Sequence, residues 1–134
     1  MTVNQARSTR SQVARAALWA LRVGVAVLLI TVLGQGLLAS RYIGGDFTAL
    51  KQHSQNAAFV AYAAAAVLLA ALVHWIAGGR LWPVPVSVAL LGGTVLQFRS
   101  GFERIVPLHV ALGIALVAAT SAMVVAAWRP GASR

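Results

Sequence analysis

An all-α integral membrane four-helix bundle with up-down-up-down topology is the fold class this sequence predicts, on three observations. Sixty per cent of the residues are hydrophobic and only 10% are charged, where a soluble domain carries roughly a quarter of its residues as charges. The mean hydropathy is +0.81. The apolar residues gather into four runs separated by short segments holding the glycines, prolines and cations, and 134 residues leave room for four spans of about 20 residues each and little else.

Residues 1–15 are polar and basic, with Arg7, Arg10 and Arg15, and carry no apolar period, so they read as a cytoplasmic arm. The first span covers about 16–39, with Arg22 placed to snorkel beside Trp19. Its apolar stretch exceeds the roughly 7 to 15 residues of a signal-peptide core, which favours an uncleaved helix. Arg41 to Lys51 contains Gly44-Gly45 and Asp46 and reads as a loop. The second span, about 52–76, opens on Gln52, His53, Gln55 and Asn56 and continues as an alanine-rich run whose small side chains allow close helix approach. Gly78-Gly79 ends it. Prolines at Pro83 and Pro85 suit the first turn of a third span, about 82–98, because that turn's amides have no intrahelical partner. Arg99 to Arg104 reads as a tight charged loop, and a fourth span covers about 106–128. The transmembrane domain is thus 16–130, followed by a tail at 131–134.

The net charge is +9, from 11 Lys and Arg against Asp46 and Glu103. These cations sit at the ends of apolar runs instead of lining one face, so the partner they predict is the lipid bilayer and not nucleic acid. Counting Lys and Arg by side gives Arg7, Arg10, Arg15, Arg22, Arg80, Arg129 and Arg134 on one side, and Arg41, Lys51, Arg99 and Arg104 on the other. The positive-inside rule then expects a multi-pass protein of the cell (inner) membrane with both termini cytoplasmic. A membrane-protein partner and a homodimer both remain open.

Cysteine is absent, which removes disulfides, thiolate catalysis and Cys-ligated metal. Neither carboxylate lies within a span, so no intramembrane acid is available for proton coupling, and no Ser/His/Asp set or phosphate-cradling loop is present. The sequence therefore leans away from an enzyme. What it does offer is one polar layer: Gln35 ending the first span, His53 and Asn56 opening the second, Gln97 ending the third and His109 opening the fourth. Spans two and four run in the same direction and sit diagonally in a four-helix ring. His53 and His109 can then face each other across the core as axial ligands of a b-type haem iron. Gly113 and Ala57, four residues beyond each histidine, leave room for a macrocycle, and Arg41, Lys51, Arg99 and Arg104 at the rim offer cations to propionates. The plainer reading is that the layer only hydrogen-bonds helices together in a structural or assembly protein without a cofactor. His74, 21 residues beyond His53, is expected in the aromatic and headgroup belt at the other end.

Gly34-Gln35-Gly36, His53, Leu96-Gln97 and Leu108-His109 occur in this order over about three quarters of the chain, and in this the segment from Val32 to Trp128 resembles the DUF6220 family of small bacterial four-helix membrane proteins. The layout is also similar to one half of the haem A synthase family, in which two four-helix bundles each offer a histidine from the second and fourth helices to a haem. That resemblance implies His53 and His109 as the axial pair. Catalytic halves of that family carry a glutamate three residues before the first of these histidines, and this chain has Leu50 there. The resemblance therefore implies a cofactor-holding bundle more than a haem-oxidising enzyme.

Overall fold

The computed structural model describes residues 3–129. They form α1 (Val3–Ile43), α2 (Thr48–Ile76), α3 (Pro83–Phe102) and α4 (Val106–Trp128), joined by short turns. The helices run alternately up and down in a ring. α1 packs on α2 and α4, and α3 packs on α2 and α4, which leaves α2 and α4 on one diagonal. Three helices, α1, α2 and α4, are long and apolar enough to cross a membrane. α3 covers 20 residues, about 30 Å of helix, and carries Gly92, Gly93, Gln97 and Arg99 among its apolar residues.

The register of the core follows from spacing. On α1 the buried Leu18, Leu21, Val25, Leu28 and Val32 recur in steps of three and four, and on α2 so do Val60, Ala64, Val67, Ala71 and His74. That is the seam of two helices wound against each other, and here leucines on one side meet alanines on the other. In lipid no hydrophobic force draws apolar helices together, so the close contact that small residues permit is what holds such a pair. α4 repeats the pattern at Leu116, Thr120, Met123 and Ala127, and α3 at Pro83, Ser87, Leu90 and Thr94. The hydroxyls of Ser87 and Thr94 donate to the carbonyls of Pro83 and Leu90, one turn back, so they need no partner on another helix. Between α3 and α4 a shallow apolar groove remains, floored by Ala89, Gly93, Ala115 and Ala119.

All three inter-helix turns close in the same way. After α1, the amides of Gly45 and Asp46 donate to the carbonyls of Tyr42 and Arg41. After α2, Gly78 and Gly79 donate to Trp75 and His74. After α3, Arg104 and Ile105 donate to Gly101 and Ser100. This paired closure needs a left-handed residue just beyond the helix end. Gly45 and Gly78 adopt it at φ 98° and 95°, but the third turn places Arg104 there at φ 56°.

The expected loop from Arg41 to Lys51 is shorter than read, because α1 runs to Ile43 and α2 starts at Thr48, and two further boundaries differ from the sequence expectation. Residues 3–15, expected as an arm without structure, extend α1 as helix. Their Gln, Ala and Arg are good helix formers, and two tertiary contacts hold them: Ala14 accepts from His74, and Arg10 donates to the carbonyl of Ile76. Likewise α3 runs through Arg99, Ser100 and Gly101, which were expected in a loop, because Ser100 Oγ bonds back to Gln97 O and the turn closes only at Arg104. The tail at 131–134 lies outside the described residues.

Candidate functional site: a histidine layer at one end of the bundle

The seam explains why four polar residues converge. Continuing the steps of three and four, Gln35 extends the α1 stripe beyond Val32, His53 and Ala57 begin the α2 stripe before Val60, Gln97 follows Thr94 on α3, and His109 and Gly113 precede Leu116 on α4. Each therefore points into the bundle at the level where the apolar seam ends. His53 and His109, on the diagonal helices, come together with ring centroids 6.1 Å apart and planes inclined by 57°.

Each imidazole is fixed from outside by a carbonyl. His53 Nδ1 lies 3.1 Å from Gln35 O on α1, and His109 Nδ1 lies 3.0 Å from Gln97 O on α3. A carbonyl oxygen only accepts, so Nδ1 carries the proton in both rings and Nε2 presents a lone pair. The two hairpins, α1–α2 and α3–α4, thus build the same element: a glutamine at the end of one helix orients a histidine at the start of the next. Ser100 Oγ, 3.4 Å from His109 Nδ1, adds a contact on the α3 side. Asn56 Nδ2 donates to Thr31 O at 2.8 Å and locks α2 to α1 one turn deeper.

The layer is rich in acceptors. The side-chain oxygens of Gln35 and Gln97 are buried and have no hydrogen-bond partner. The Gln97 amide approaches His109 Nε2 at 3.4 Å, a long contact. With both Nδ1 protons already donated, the layer presents two unpartnered glutamine oxygens and two imidazole lone pairs, beside the amide N–H groups of the same glutamines. Such a set suits an electron-pair acceptor, a metal, or a ligand bringing its own N–H or O–H groups. Among the described residues no group of three His, Asp or Glu side chains gathers around one point. A bare metal ion would be left short of ligands, whereas a haem iron takes four from its macrocycle and asks the protein for only two.

Of the remaining expected site residues, Arg41 and Arg99 are engaged elsewhere. Arg41 pairs with Asp46 and reaches Gln52, and Arg99 pairs with Glu103 one turn along. These are the chain's only two carboxylates, so both rim cations already hold an anion. Arg104 stands in the α3–α4 turn and is exposed. The space expected at Gly113 is taken up by a neighbour, since a Cβ there would stand 3.2 Å from the Gln97 amide. Ala57 is half-buried on the α2 stripe. Sequence reasoning missed three contributors: Ser100, Thr31, and Gly101, where a Cβ would stand 3.1 Å from the His109 ring. The first two act through a hydroxyl and a carbonyl that carry no pattern of their own, but Gly101 lies four residues beyond Gln97 on the α3 stripe, a spacing that could have found it.

His74, near the end of α2, faces into the bundle. It is 2% exposed on the α1–α2 seam, and its Nδ1 lies 3.0 Å from Ala14 O. His53 and His74 occupy the same stripe three heptads apart, and the carbonyls they bond, Gln35 and Ala14, are three heptads apart on α1.

No family model, curated protein or solved structure matches this chain. The functional reading rests on the geometry of the histidine layer.

Proposed function

We propose that this bundle holds one b-type haem between His53 and His109 and serves electron transfer at that end of the membrane. The single observation that carries the reading is the pair of facing imidazoles, 6.1 Å between centroids, each with Nδ1–H donated to a backbone carbonyl and Nε2 left as a lone pair. Histidines that ligate metals almost always donate the other ring nitrogen in this way, which fixes the tautomer and raises ligand basicity. Two imidazoles sharing one metal at bonds of about 2 Å have centroids roughly 6 Å apart, so the separation is compatible with an iron between them. Bound there, haem would supply reversible one-electron chemistry.

The chain's own residues have definable tasks in this reading. Gln35 O and Gln97 O orient the ligands, while Ser100 and Gly101 set the pose of the His109 ring. Gln97 must withdraw its amide from His109 Nε2, which frees the space it fills beside Gly113 for the macrocycle edge. Arg104 and Lys51 are the rim cations without a carboxylate partner, and they would meet propionates in place of Arg41 and Arg99. The positive-inside count places this end on the outer side, with both termini cytoplasmic.

A second reading is a structural or assembly membrane module without cofactor. The Gln97 amide favours it, because its contact with His109 Nε2 already gives one imidazole an internal partner. The test separates the two. Purified in detergent from cells with ample haem supply, the protein is expected to show a reduced-minus-oxidised spectrum with a sharp α band, and His53→Ala and His109→Ala are expected to lose it. A colourless wild-type protein, with both variants folded and only slightly less stable, would establish the structural module instead.

A further inference from the structure

The opposite end of the bundle carries a second polar site, unrelated to the histidine pair and about 30 Å from it along α2. Where the helical extension of α1 crosses the end of α2, a cleft of about 490 Å³ opens between the two helices. Arg10, Ser11, Arg15, His74 and Gly78 line it, together with the apolar Ala14, Leu18 and Ala77. His74 is 2% exposed, and its Nε2 is buried with no hydrogen-bond partner. Its Nδ1 donates to Ala14 O, so Nε2 presents a lone pair where a donor is missing. A Cβ on Gly79 would run into this edge of the ring, so glycine is what lets the imidazole pack there.

The charges around this acceptor are all positive. Arg10 uses one nitrogen to hold the carbonyl of Ile76, at 3.1 Å, which keeps its guanidinium at the cleft wall. Arg15 lies one turn and one residue further along α1. Asp46 and Glu103, the chain's only carboxylates, are both paired with arginines at the other end of the bundle. The cleft therefore combines two guanidiniums that no acidic side chain neutralises, a serine hydroxyl, and a buried nitrogen that can only accept.

From these features we infer that the cleft binds a terminal phosphate group, one that keeps a P–O–H. Its charged oxygens meet Arg10 and Arg15 in the charge-assisted contacts that guanidinium favours, and the P–O–H of the monoanion donates to His74 Nε2. A phosphate diester has the charge but no hydroxyl to donate, and would leave Nε2 unsatisfied. The group can arrive on a lipid, as the headgroup of phosphatidic acid, or as free phosphate.

The full-length protein in detergent, titrated with phosphatidic acid or with phosphatidylglycerol and read by native mass spectrometry, tests this. Phosphatidic acid is expected to bind one per chain and about tenfold more tightly than phosphatidylglycerol. Arg15→Gln, on the exposed side of the cleft, is expected to weaken phosphatidic acid several-fold with an unchanged melting temperature. His74→Asn keeps a side-chain donor for Ala14 O and removes Nε2, so it is expected to erase the preference between the two lipids. Inorganic phosphate that displaces the lipid at millimolar concentration identifies a soluble ligand, and failure to displace it identifies the headgroup. Equal affinity for the two lipids in the wild type, or a preference that survives His74→Asn in a folded protein, would overturn the assignment.

Discussion

At the scale of single residues, the partners of individual atoms decide what each side chain contributes. Arg104 is a non-glycine residue at φ 56°, in a turn whose two counterparts use Gly45 and Gly78. An L-residue pays about 1 kcal/mol or more for the left-handed region. Arg104→Gly is therefore expected to stabilise the bundle by about 1 kcal/mol in reversible unfolding in mixed micelles; a loss of stability would show that the arginine side chain contributes more than its backbone costs. Asp46 makes a second test. The Thr48 hydroxyl and, after it, the Arg41 guanidinium hold its carboxyl below the usual carboxylate range. A carboxyl with a depressed folded-state pKa lends stability above its unfolded value, about 3.9, and that stability disappears as pH falls through the folded value. The contribution of Asp46 is thus present at pH 5 and above and declines below about pH 4. Melting temperatures of wild type and Asp46→Asn are expected to differ at pH 6, with the gap narrowing as pH falls below about 4. A gap that does not narrow on acidification would contradict the pairing.

The helices are where sequence and structure can be compared most usefully. Four apolar runs announce four helices, and the single polar residue in an otherwise greasy stretch, Gln35, Gln97 or His109, is conspicuous because lipid offers it no partner. The depth-matched layer was therefore readable in advance. The seam was not drawn from the sequence, although His53 and His74 are three heptads apart, because alanine-rich runs show little contrast between faces: on α2 a buried Ala64 and an exposed Ala65 are the same residue type. Nor could the extension of α1 through residues 3–15 be read, since it depends on Ala14 and Arg10 meeting the far end of α2. The rim pairs were missed for a similar reason. Arg41 and Asp46 are separated by a turn whose closure brings them together, and Glu103 reaches Arg99 only because α3 continues past Gln97 as helix. The seam makes its own prediction. Ala64 is fully buried against the leucines of α1, so Ala64→Leu is expected to cost about 1–3 kcal/mol through overpacking. Neutral behaviour in the same unfolding assay would mean that α1 and α2 do not interlock as described.

The whole molecule is a membrane bundle with two chemically different ends. At one end, two helical hairpins each present a histidine oriented by a glutamine carbonyl, and the side-chain oxygens of both glutamines are buried without a partner. At the other, the α1 extension covers the end of α2, buries His74 and leaves a cationic cleft. The centre between them is an apolar seam in which Ser87 and Thr94 bond one turn back on their own helix and the Thr120 hydroxyl is buried without a hydrogen-bond partner. Arg22 closes the cleft end on the α4 side, donating to Ala127 O at 2.9 Å with its guanidinium 5.0 Å from the Trp19 ring and 5.3 Å from the Trp128 ring. That contact, a cation over two rings, joins the first helix to the last. The proposal of a haem between His53 and His109 makes the first end the working one. The measurement that bears on it most directly is electron paramagnetic resonance of the oxidised, haem-loaded protein. Two imidazole ligands predict a low-spin ferric signal that disappears in both His53→Ala and His109→Ala. A high-spin signal in the wild type, or a low-spin signal that survives either substitution, would contradict the paired-histidine site.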